Sequence, residues 1–496
     1  MADGNDCDYL VIGGGAAGCI VARRLAEQPG TRVILLEAGR SDEGDPIATD
    51  LSRLDEQDDS YDWGYTAQPL ADSEHRIRYD RARMLGGCAN HNDCAFLVPP
   101  PSDFDEWVEL GASGWSFADN AAAFARIEAR LSIEASPPGT EPSQAFIDAC
   151  RAQGLHVRNF REGVDAGAGW FPLNVDGALR QSSSIGYLHP LNTLPDNLEV
   201  RCNSQATRLL IESGRVVGVD TEQGPLRAAA EVILCAGSIN TPQLLLLSGI
   251  GDGNDLQSLG IDTRVHLPGV GRNLLDHAAA NLACALRAPP PPWRLTPCEA
   301  TALIRVDADA PAPDVLYHYV LTLRDKYSDI DHYGHIEHGI KLSPNVTRPK
   351  SRGWLGLASP DYREPPAIDL NYFSDADGYD RRIILGGLRF GREVLNSAEL
   401  AGFIAEEVMP GADVQSDDEL FAYVRETAET VYHPSGTCRM GAPDDPLAVV
   451  TPDLRVRGIE GLRVADASVF PSMVTVNICN TVMMIGERAA DMILDR

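Results

Sequence analysis

Three glycines near the start of the chain have the spacing of a phosphate-binding turn. Gly13, Gly15 and Gly18 form G-x-G-x-x-G between an apolar run at residues 8–12 and a stretch of helical spacing at residues 16–27. In such a turn the first glycine permits the bend, and the second lets backbone amides approach a pyrophosphate at the helix N-terminus. The third lets helix and strand pack closely. The pattern predicts a dinucleotide-binding site.

An acid completes this pattern. A second apolar strand is predicted at residues 32–36, and Glu37 follows it directly. A carboxylate at this place can accept hydrogen bonds from both hydroxyls of a ribose. The order of strand, glycine turn, helix, strand and acid makes the prediction far stronger than the glycines alone.

A second glycine pair places an imidazole at the tip of a tight turn. Gly86 and Gly87 precede His91 in the stretch LGGCANHNDCAF, between a predicted loop and a predicted strand. Histidine changes charge close to neutral pH, so it suits proton transfer. What His91 does depends on what lies against the turn.

The bulk properties describe a globular protein with an acidic surface. The chain has 496 residues, 44% of them hydrophobic and 23% charged, which predicts two to four domains. Its formal net charge of −30 disfavours nucleic acid and anionic membrane surfaces as partners and would attract cations.

The cysteines and the N-terminus point to a reducing compartment. The eleven cysteines form no C-x-x-C pair, so we expect free thiols, no disulfide framework and no metal site. The N-terminal stretch MADGNDCDYL lacks the features of a signal peptide, and no apolar run is long enough to span a membrane. These features predict a cytoplasmic protein.

Further along the chain, additional strands are predicted to join the same sheet as the first two. Residues 117–135 have mostly helical character, and an apolar strand from residue 232 runs into a turn and a helix. Another buried strand at residues 461–467 precedes a helical stretch. The sheet is therefore predicted to be assembled from three separated segments. The proline-rich stretch at residues 287–293 predicts a linker where the chain crosses between domains, and residues 343–374 have strand and turn character that suits a second sheet.

Motifs spread over the whole chain resemble those of the glucose–methanol–choline (GMC) oxidoreductases, which are FAD-dependent alcohol oxidases and dehydrogenases. In order they are DYLVIGGGAAG, LLEAG, RMLGGCANHN, GWSF, CAGSINTPQLLLLSGIG, LPGVGRNLLDH, HPSGTCRMG and TPDLRVRGIEGLRVADASVFPSMVTVN. The resemblance implies an α/β fold with a Rossmann-like FAD-binding domain built from discontinuous segments. It also implies an α+β substrate domain with an antiparallel sheet and helices.

The resemblance divides the chain into two domains. We predict that the FAD-binding domain comprises residues 1–150, 190–286 and 432–496. Residues 151–189 and 287–431 would form the substrate-binding domain.

The same resemblance assigns the cofactor contacts. The turn of Gly86 and Gly87 would lie over the flavin ring, although Cys88 and Ala89 depart from the Ser or Thr that most members place there. The pattern is closest to the choline-oxidising members, in which a histidine at the position of His91 is bonded covalently to the flavin. Such a bond would raise the reduction potential of the flavin; the alternative is a turn histidine packed on flavin held without a bond. Further contacts would come from Asn92, Ala236, Asp466, Ala467 and Asn477.

The catalytic pair also follows from the resemblance. His433, in YHPSGTCRMG, matches the family's catalytic histidine, and Asn477, in VTVN, matches its second active-site position. We expect His433 to accept the hydroxyl proton of an alcohol and both side chains to hold the alkoxide, while hydride passes to flavin N5. The reduced flavin would pass its electrons to oxygen or another acceptor.

The substrate is predicted to be a small, cationic, amine-bearing primary alcohol, such as an amino sugar or aminoglycoside precursor, which is oxidised to its aldehyde. Glu299 and Asp93 are the candidate acids, and Tyr432 is a third substrate contact. Arg53 falls where the choline-oxidising members place an aromatic residue, which argues against a quaternary ammonium. Choline remains the alternative, and a lyase that keeps FAD without using its redox chemistry is a weaker one.

Overall fold

The structure is a computed structural model, and it describes residues 6–71, 73–134, 139–323 and 336–495. Two large sheets organise this part of the chain. One is mainly parallel and the other is antiparallel. A cavity lined by residues of both parts lies between them.

The mainly parallel sheet is assembled from distant parts of the chain, as the sequence predicts. Its central strands Cys7–Ile12 and Val33–Leu36 are mainly apolar and buried, which is typical of parallel sheets covered on both faces. In spatial order the strands of this sheet are Leu198–Arg201, Val33–Leu36, Cys7–Ile12 and Gly224–Leu234, with Leu462–Val464 paired to the last and Arg215–Thr221 and Ala206–Glu212 extending the sheet antiparallel.

The glycine turn sets where the first helix begins. The helix is Gly18–Ala26, two residues later than predicted, because the turn extends to Ala17. Gly13 has φ +101°, and a Cβ on Gly18 would lie 1.8 Å from the carbonyl oxygen of Gly13. Glycine is therefore required at both positions. The other helices of this part are Pro101–Glu109, Phe117–Arg130, Ser183–Tyr187, Gly237–Leu247 and Cys479–Ile493.

The antiparallel sheet forms the other wall. Its long strands pair in the spatial order Ile404–Met409, Leu282–Leu286, Gly339–Val346, Val315–Val320, Cys298–Ile304 and Gly167–Trp170, and the short strand Ala278–Ala279 joins Gly339–Val346 to Glu429–Thr430.

Alternation along these strands divides the sheet into two faces. On Gly339–Val346, Ile340 and Leu342 pack into a core with the helices Glu141–Ala152, Tyr379–Leu395 and Asp417–Thr427, whereas Lys341 and Ser343 line the cavity. Successive side chains of a strand point to opposite faces, so each strand serves the core and the cavity at once.

The chain crosses between the two sheets earlier than the sequence predicts. The strand Leu282–Leu286, predicted to belong to the FAD-binding part, pairs with Gly339–Val346 in the antiparallel sheet. The stretch at residues 287–293 therefore connects two strands of one sheet rather than two domains. The point at which the chain enters the antiparallel sheet depends on long-range strand pairing, which local composition cannot predict.

Three further segments also differ from the predicted division. Helix Ser183–Tyr187, predicted for the substrate-binding domain, packs on helix Gly18–Ala26 of the parallel part. Helix Glu141–Ala152 packs on the antiparallel sheet. The hairpin of Trp354–Gly356 and Ala367–Asp369 packs instead on the core of the parallel sheet, through Leu355 and Ile368.

Short elements connect these layers. They are the strands Val175–Asp176, Leu179–Arg180, Ile250–Gly251 and Val265–His266 and the helices Pro46–Thr49 and Gly253–Ser258. Within the described ranges, no helix is both long and apolar enough to cross a membrane.

Candidate active site

A continuous cavity of about 470 Å³ brings most of the predicted site residues together. It is bounded by the glycine turn, the turn before His91, the His433 loop and the inner face of the antiparallel sheet. The predicted residues that line it are Gly13, Gly15, Glu37, Gly87, His91, Asn92, Asp93, Ala236, Tyr432, His433, Asp466, Ala467 and Asn477. Gly18, Gly86 and Glu299, which the structure also describes, lie outside this lining.

At one end the cavity fits a dinucleotide. The Glu37 carboxylate accepts hydrogen bonds from the backbone amides of Gly14, at 2.9 Å, and Gly39, at 2.7 Å. Burial raises its pKa to about 7, while these two amides oppose that rise. A Cβ on Gly15 would meet no neighbour closer than 4.0 Å, so the cavity reaches the backbone there. An open glycine turn beside a buried acid is suited to the phosphates and the ribose of FAD.

Asp466 holds two backbone segments at the middle of the cavity. Its carboxylate accepts from the amide of Gly237, at 2.9 Å, and from the hydroxyl of Thr241, at 2.6 Å. Its other oxygen accepts from the amide of Ser468. Burial raises the pKa of Asp466. This residue therefore fixes the start of helix Gly237–Leu247 against the segment that carries Ala467.

The turn before His91 is held by a buried amide. Gly86 and Gly87 have φ of +85° and +54°, and residues Gly87–Asn90 form a short 3-10 helix that ends at His91. The Asn90 amide donates to the Leu85 carbonyl and to the Asp42 carboxylate. A Cβ on Gly86 would lie 2.1 Å from that amide nitrogen, which explains why the position is glycine.

The structure places the predicted catalytic pair side by side. Nδ2 of Asn477 lies 3.4 Å from Nε2 of His433, and both residues line the cavity. Oδ1 of Asn477 is buried, and no group in the described ranges donates to it. The amide nitrogen of Asn477 is therefore the atom that the structure places against the imidazole of His433.

His277 contacts the predicted catalytic histidine, and the sequence analysis did not single it out. Its Nδ1 lies 2.8 Å from Nδ1 of His433, and its Nε2 lies 3.1 Å from the Thr347 carbonyl and 3.0 Å from the Val474 carbonyl. Carbonyls only accept, so Nε2 of His277 carries the proton. The residue ends the quoted motif LPGVGRNLLDH, but nothing in that motif shows its partner.

This arrangement decides the tautomer of His433. Burial lowers the pKa of His277 to about 4, so the ring is neutral and its Nδ1 accepts from Nδ1–H of His433. Burial and the neighbouring histidines hold the pKa of His433 well below its usual value. Neutral His433 therefore presents the lone pair of Nε2 to the cavity.

Asp276 orients both rings through their backbone. One oxygen accepts from the amides of His277 and His433, each at 2.9 Å. The other oxygen accepts from three hydroxyls, those of Tyr79, Tyr372 and Thr430. Burial raises the pKa of Asp276. The five donors compensate for removing the carboxyl group from water.

A third histidine lies on the other side of Asn477. Nε2 of His318 is 3.4 Å from Nδ2 of Asn477, and its ring stacks on Phe171. Burial lowers the pKa of His318 to about 3, so this ring is neutral. The motifs gave no sign of His318, because an isolated histidine in a strand has no spacing signature.

Glu299 does not belong to the substrate pocket. Its carboxylate accepts from the backbone amide and hydroxyl of Thr140, from the hydroxyl of Ser143 and from the amide of Arg294. Its strand neighbour Cys298 lines the cavity, so Glu299 points to the opposite face, where helix Glu141–Ala152 begins. The sequence analysis predicted Glu299 as a substrate contact, and the structure places its side chain outside the cavity lining, on the opposite face of the sheet.

Arg53 is also absent from the cavity lining in the described part of the chain. It pairs with Glu56 on the same short helix, with Nε 2.9 Å from Oε1. The cavity wall instead contains polar residues that no motif indicated. Among them are Asn281, His318, Lys341, Ser343 and Glu429.

Comparisons with known proteins agree with this geometry. Two models of the family described as GMC oxidoreductase match residues 7–279 and 349–486. Choline oxidase of Arthrobacter globiformis is 37% identical over 514 residues, covering 98% of this chain and 94% of that protein. The oxygen-dependent choline dehydrogenase of Rhizobium rhizogenes is 34% identical, covering 99% and 96%. The crystal structure of pyridoxine 4-oxidase from Mesorbium loti matches with a TM-score of 0.90 and 28% identity, covering 99% and 100%.

Proposed function

This chain belongs to the GMC oxidoreductase family, and on that premise we propose that it oxidises a polar, amine-bearing primary alcohol to the aldehyde. It is an FAD-dependent alcohol oxidoreductase, and the observation that carries its chemistry is the pair of His433 and Asn477 in the cavity. The finer proposal, an amino sugar or aminoglycoside precursor, rests on the residues around that pair.

The proton chemistry is proposed to belong to His433. Its Nε2 presents a lone pair, because Nδ1–H is donated to His277. This nitrogen accepts the hydroxyl proton of the alcohol, and Nδ2 of Asn477 donates to the oxygen as negative charge develops there. Bound FAD supplies the acceptor for the hydride that leaves the carbinol carbon. Oxygen or another acceptor takes the electrons afterwards.

The amine is proposed to pair with Asp93. This carboxylate lines the cavity close in sequence to His91 and Asn92. A carboxylate that loses water when a ligand enters is stabilised by a positive partner, and a protonated amine supplies one. The net charge of −30 adds a long-range attraction for cations.

Choline is the second candidate. Two similar proteins carry choline in their names, and Tyr432 and Phe171 provide aromatic faces in the cavity. Arg53, which we expected to argue against choline, lies outside the lining and argues neither way.

His91 is proposed to be bonded covalently to the flavin. It lines the cavity beside Cys88, at the end of the rigid 3-10 helix. A bond between a ring nitrogen and a flavin methyl carbon replaces one N–H and one C–H, so a two-electron acceptor such as oxygen must take up two hydrogens. We also propose that the part built on the parallel sheet binds FAD and that the antiparallel sheet binds the substrate.

The test is anaerobic reduction of the flavin. Purified holoprotein is mixed with choline, or with an aminoglycoside that has a free primary hydroxyl, and the oxidised flavin band is followed. Bleaching by the amino sugar supports the proposal, and bleaching by choline alone supports the second candidate. A band that no alcohol bleaches would contradict the proposed oxidation and favour a lyase.

A further inference from the structure

The sheet wall of the cavity carries a lysine and a glutamate next to each other. Lys341 lies on strand Gly339–Val346 and Glu429 on Glu429–Thr430, and Nζ is 4.0 Å from Oε2. Their side chains are 13% and 23% exposed, and both line the cavity. A largely buried ion pair contributes little to the stability of the fold, because the cost of desolvating the two charges offsets their attraction. Their place in the cavity suggests a role in binding.

Two neutral residues hold the carboxylate in one orientation. The Asn281 amide donates to Oε2 of Glu429 at 2.7 Å. The hydroxyl of Ser343 donates to Oδ1 of Asn281, which fixes the direction of that amide. A binding group held in this way loses little conformational entropy when a ligand arrives.

The strand register separates Lys341 from the residue that lies opposite His318. Ser343 lies directly opposite His318, whose Nε2 is 3.4 Å from Nδ2 of Asn477. Lys341 lies two residues further along the strand, which is about 7 Å. The three bonds from oxygen to nitrogen in choline span roughly 4 Å, as three backbone bonds do. A substrate must extend beyond the size of choline to touch both places.

The mixed charge selects the kind of group that binds. A protonated amine would be repelled by Lys341, and a carboxylate would be repelled by Glu429. A hydroxyl can accept from the ammonium and donate to the carboxylate. A polyhydroxylated ring carries several hydroxyl groups on adjacent carbons.

We propose that Lys341 and Glu429 form a subsite for hydroxyl groups, with Lys341 about 7 Å along the strand from Ser343, the residue opposite His318. This makes a sugar-like polyhydroxylated ring the substrate class. This inference rests on the proposed alcohol oxidation and deepens it. The subsite is separate from Asp93, so a ring that bears an amine can use both.

The test compares two neutral primary alcohols, methyl α-glucopyranoside and 1,6-hexanediol, in anaerobic flavin reduction. With the double variant Lys341→Met/Glu429→Gln, the half-saturating concentration of the glycoside should rise at least tenfold, about 1.4 kcal/mol. That of the diol should change less than twofold. Ser343→Ala keeps both charges but releases Asn281, and it should raise the value for the glycoside about threefold, because one orienting hydrogen bond is lost. This single variant carries the test if the double variant does not fold.

The matched control is Glu426→Gln, which changes an exposed acid three residues away on helix Asp417–Thr427. It should leave the half-saturating concentrations of both alcohols unchanged. An equal shift for both alcohols, or none, would overturn the subsite, as would a wild-type protein that the diol reduces and the glycoside does not. If no alcohol reduces the flavin, the proposed function itself fails.

Discussion

The Nδ1 atoms of His277 and His433 lie 2.8 Å apart, and the two carbonyls at Nε2 of His277 decide which ring donates. His277 can only accept at Nδ1 while it is neutral, so His433 must donate there. The tautomer of His433, the proposed base, is thus fixed by a residue that is absent from the cavity lining in the described ranges. His277 is a positioning residue, since it acts through His433.

Replacing His277 with Leu should slow flavin reduction at saturating alcohol about 10²-fold, because His433 loses the acceptor that fixes its tautomer. His277→Gln should recover part of the rate, since its amide oxygen can accept from Nδ1–H. Stopped-flow absorbance measures both. Equal rates for the Leu and Gln variants would contradict the tautomer argument.

Replacing Asn477 with Ala should also lower the limiting rate of flavin reduction about 10²-fold, since the developing alkoxide loses a donor. The FAD content per chain should stay close to that of the wild type. Asn480→Ala is the control, because Asn480 is buried three residues later, in the first turn of helix Cys479–Ile493, and its amide donates to the Leu97 carbonyl. Unchanged reduction kinetics in Asn477→Ala would exclude the assignment.

His318 should make the protein less stable in acid. Its pKa is depressed from 6.5 to about 3 by burial, so the unfolded chain binds a proton below pH 6.5 that the folded chain does not. Stability is therefore lost as pH falls from about 6.5 towards 3. From pH 7 to pH 5 this costs about 2 kcal/mol of unfolding free energy.

The measurement is urea unfolding of wild type and His318→Gln at pH 7 and pH 5. The wild type should lose about 2 kcal/mol more than the variant between these conditions. His156→Gln, at an exposed histidine, is the control. Parallel losses in wild type and His318→Gln would show that His318 is not held neutral.

Substitutions of Glu299 and Asp93 should have different effects, the first on the stability of the fold and the second on substrate binding. Glu299→Gln should lower the unfolding free energy by about 2 kcal/mol, because Thr140 and Ser143 lose a charged acceptor. It should leave the half-saturating concentration of an amino alcohol unchanged. Asp93→Asn should raise that concentration about tenfold. Thermal unfolding measures the stability, and anaerobic titration measures the half-saturating concentration. Weaker binding of the amino alcohol by Glu299→Gln would contradict the placement of Glu299 outside the substrate pocket.

His91 should hold the flavin through acid denaturation. After precipitation in acid, the yellow colour should remain with the wild-type pellet and move to the supernatant for His91→Ala. Mass spectrometry of the intact chain should show the added mass of FAD in the wild type. Free flavin in both supernatants would mean that His91 packs against the cofactor without a bond.

The sequence by itself determined the nucleotide end of the site. Gly13, Gly15, Gly18 and Glu37 are close in sequence, and their roles depend on one strand–turn–helix unit whose spacing is fixed locally. The resemblance added His433 and Asn477, since each lies in a long motif, and the structure brings them within 3.4 Å.

Tertiary structure alone decided which residues face the substrate. Glu299 and Lys341 each lie in a strand, and a shift of one residue moves a side chain from the cavity to the core face. Part of the register of the antiparallel sheet is set by partners more than a hundred residues away, such as Glu429 for Ala279 and Trp170 for Ala300. The pairing of His277 with His433 likewise joins residues 156 positions apart. A local sequence pattern cannot show which distant residues become neighbours, because their contact depends on how the whole chain folds.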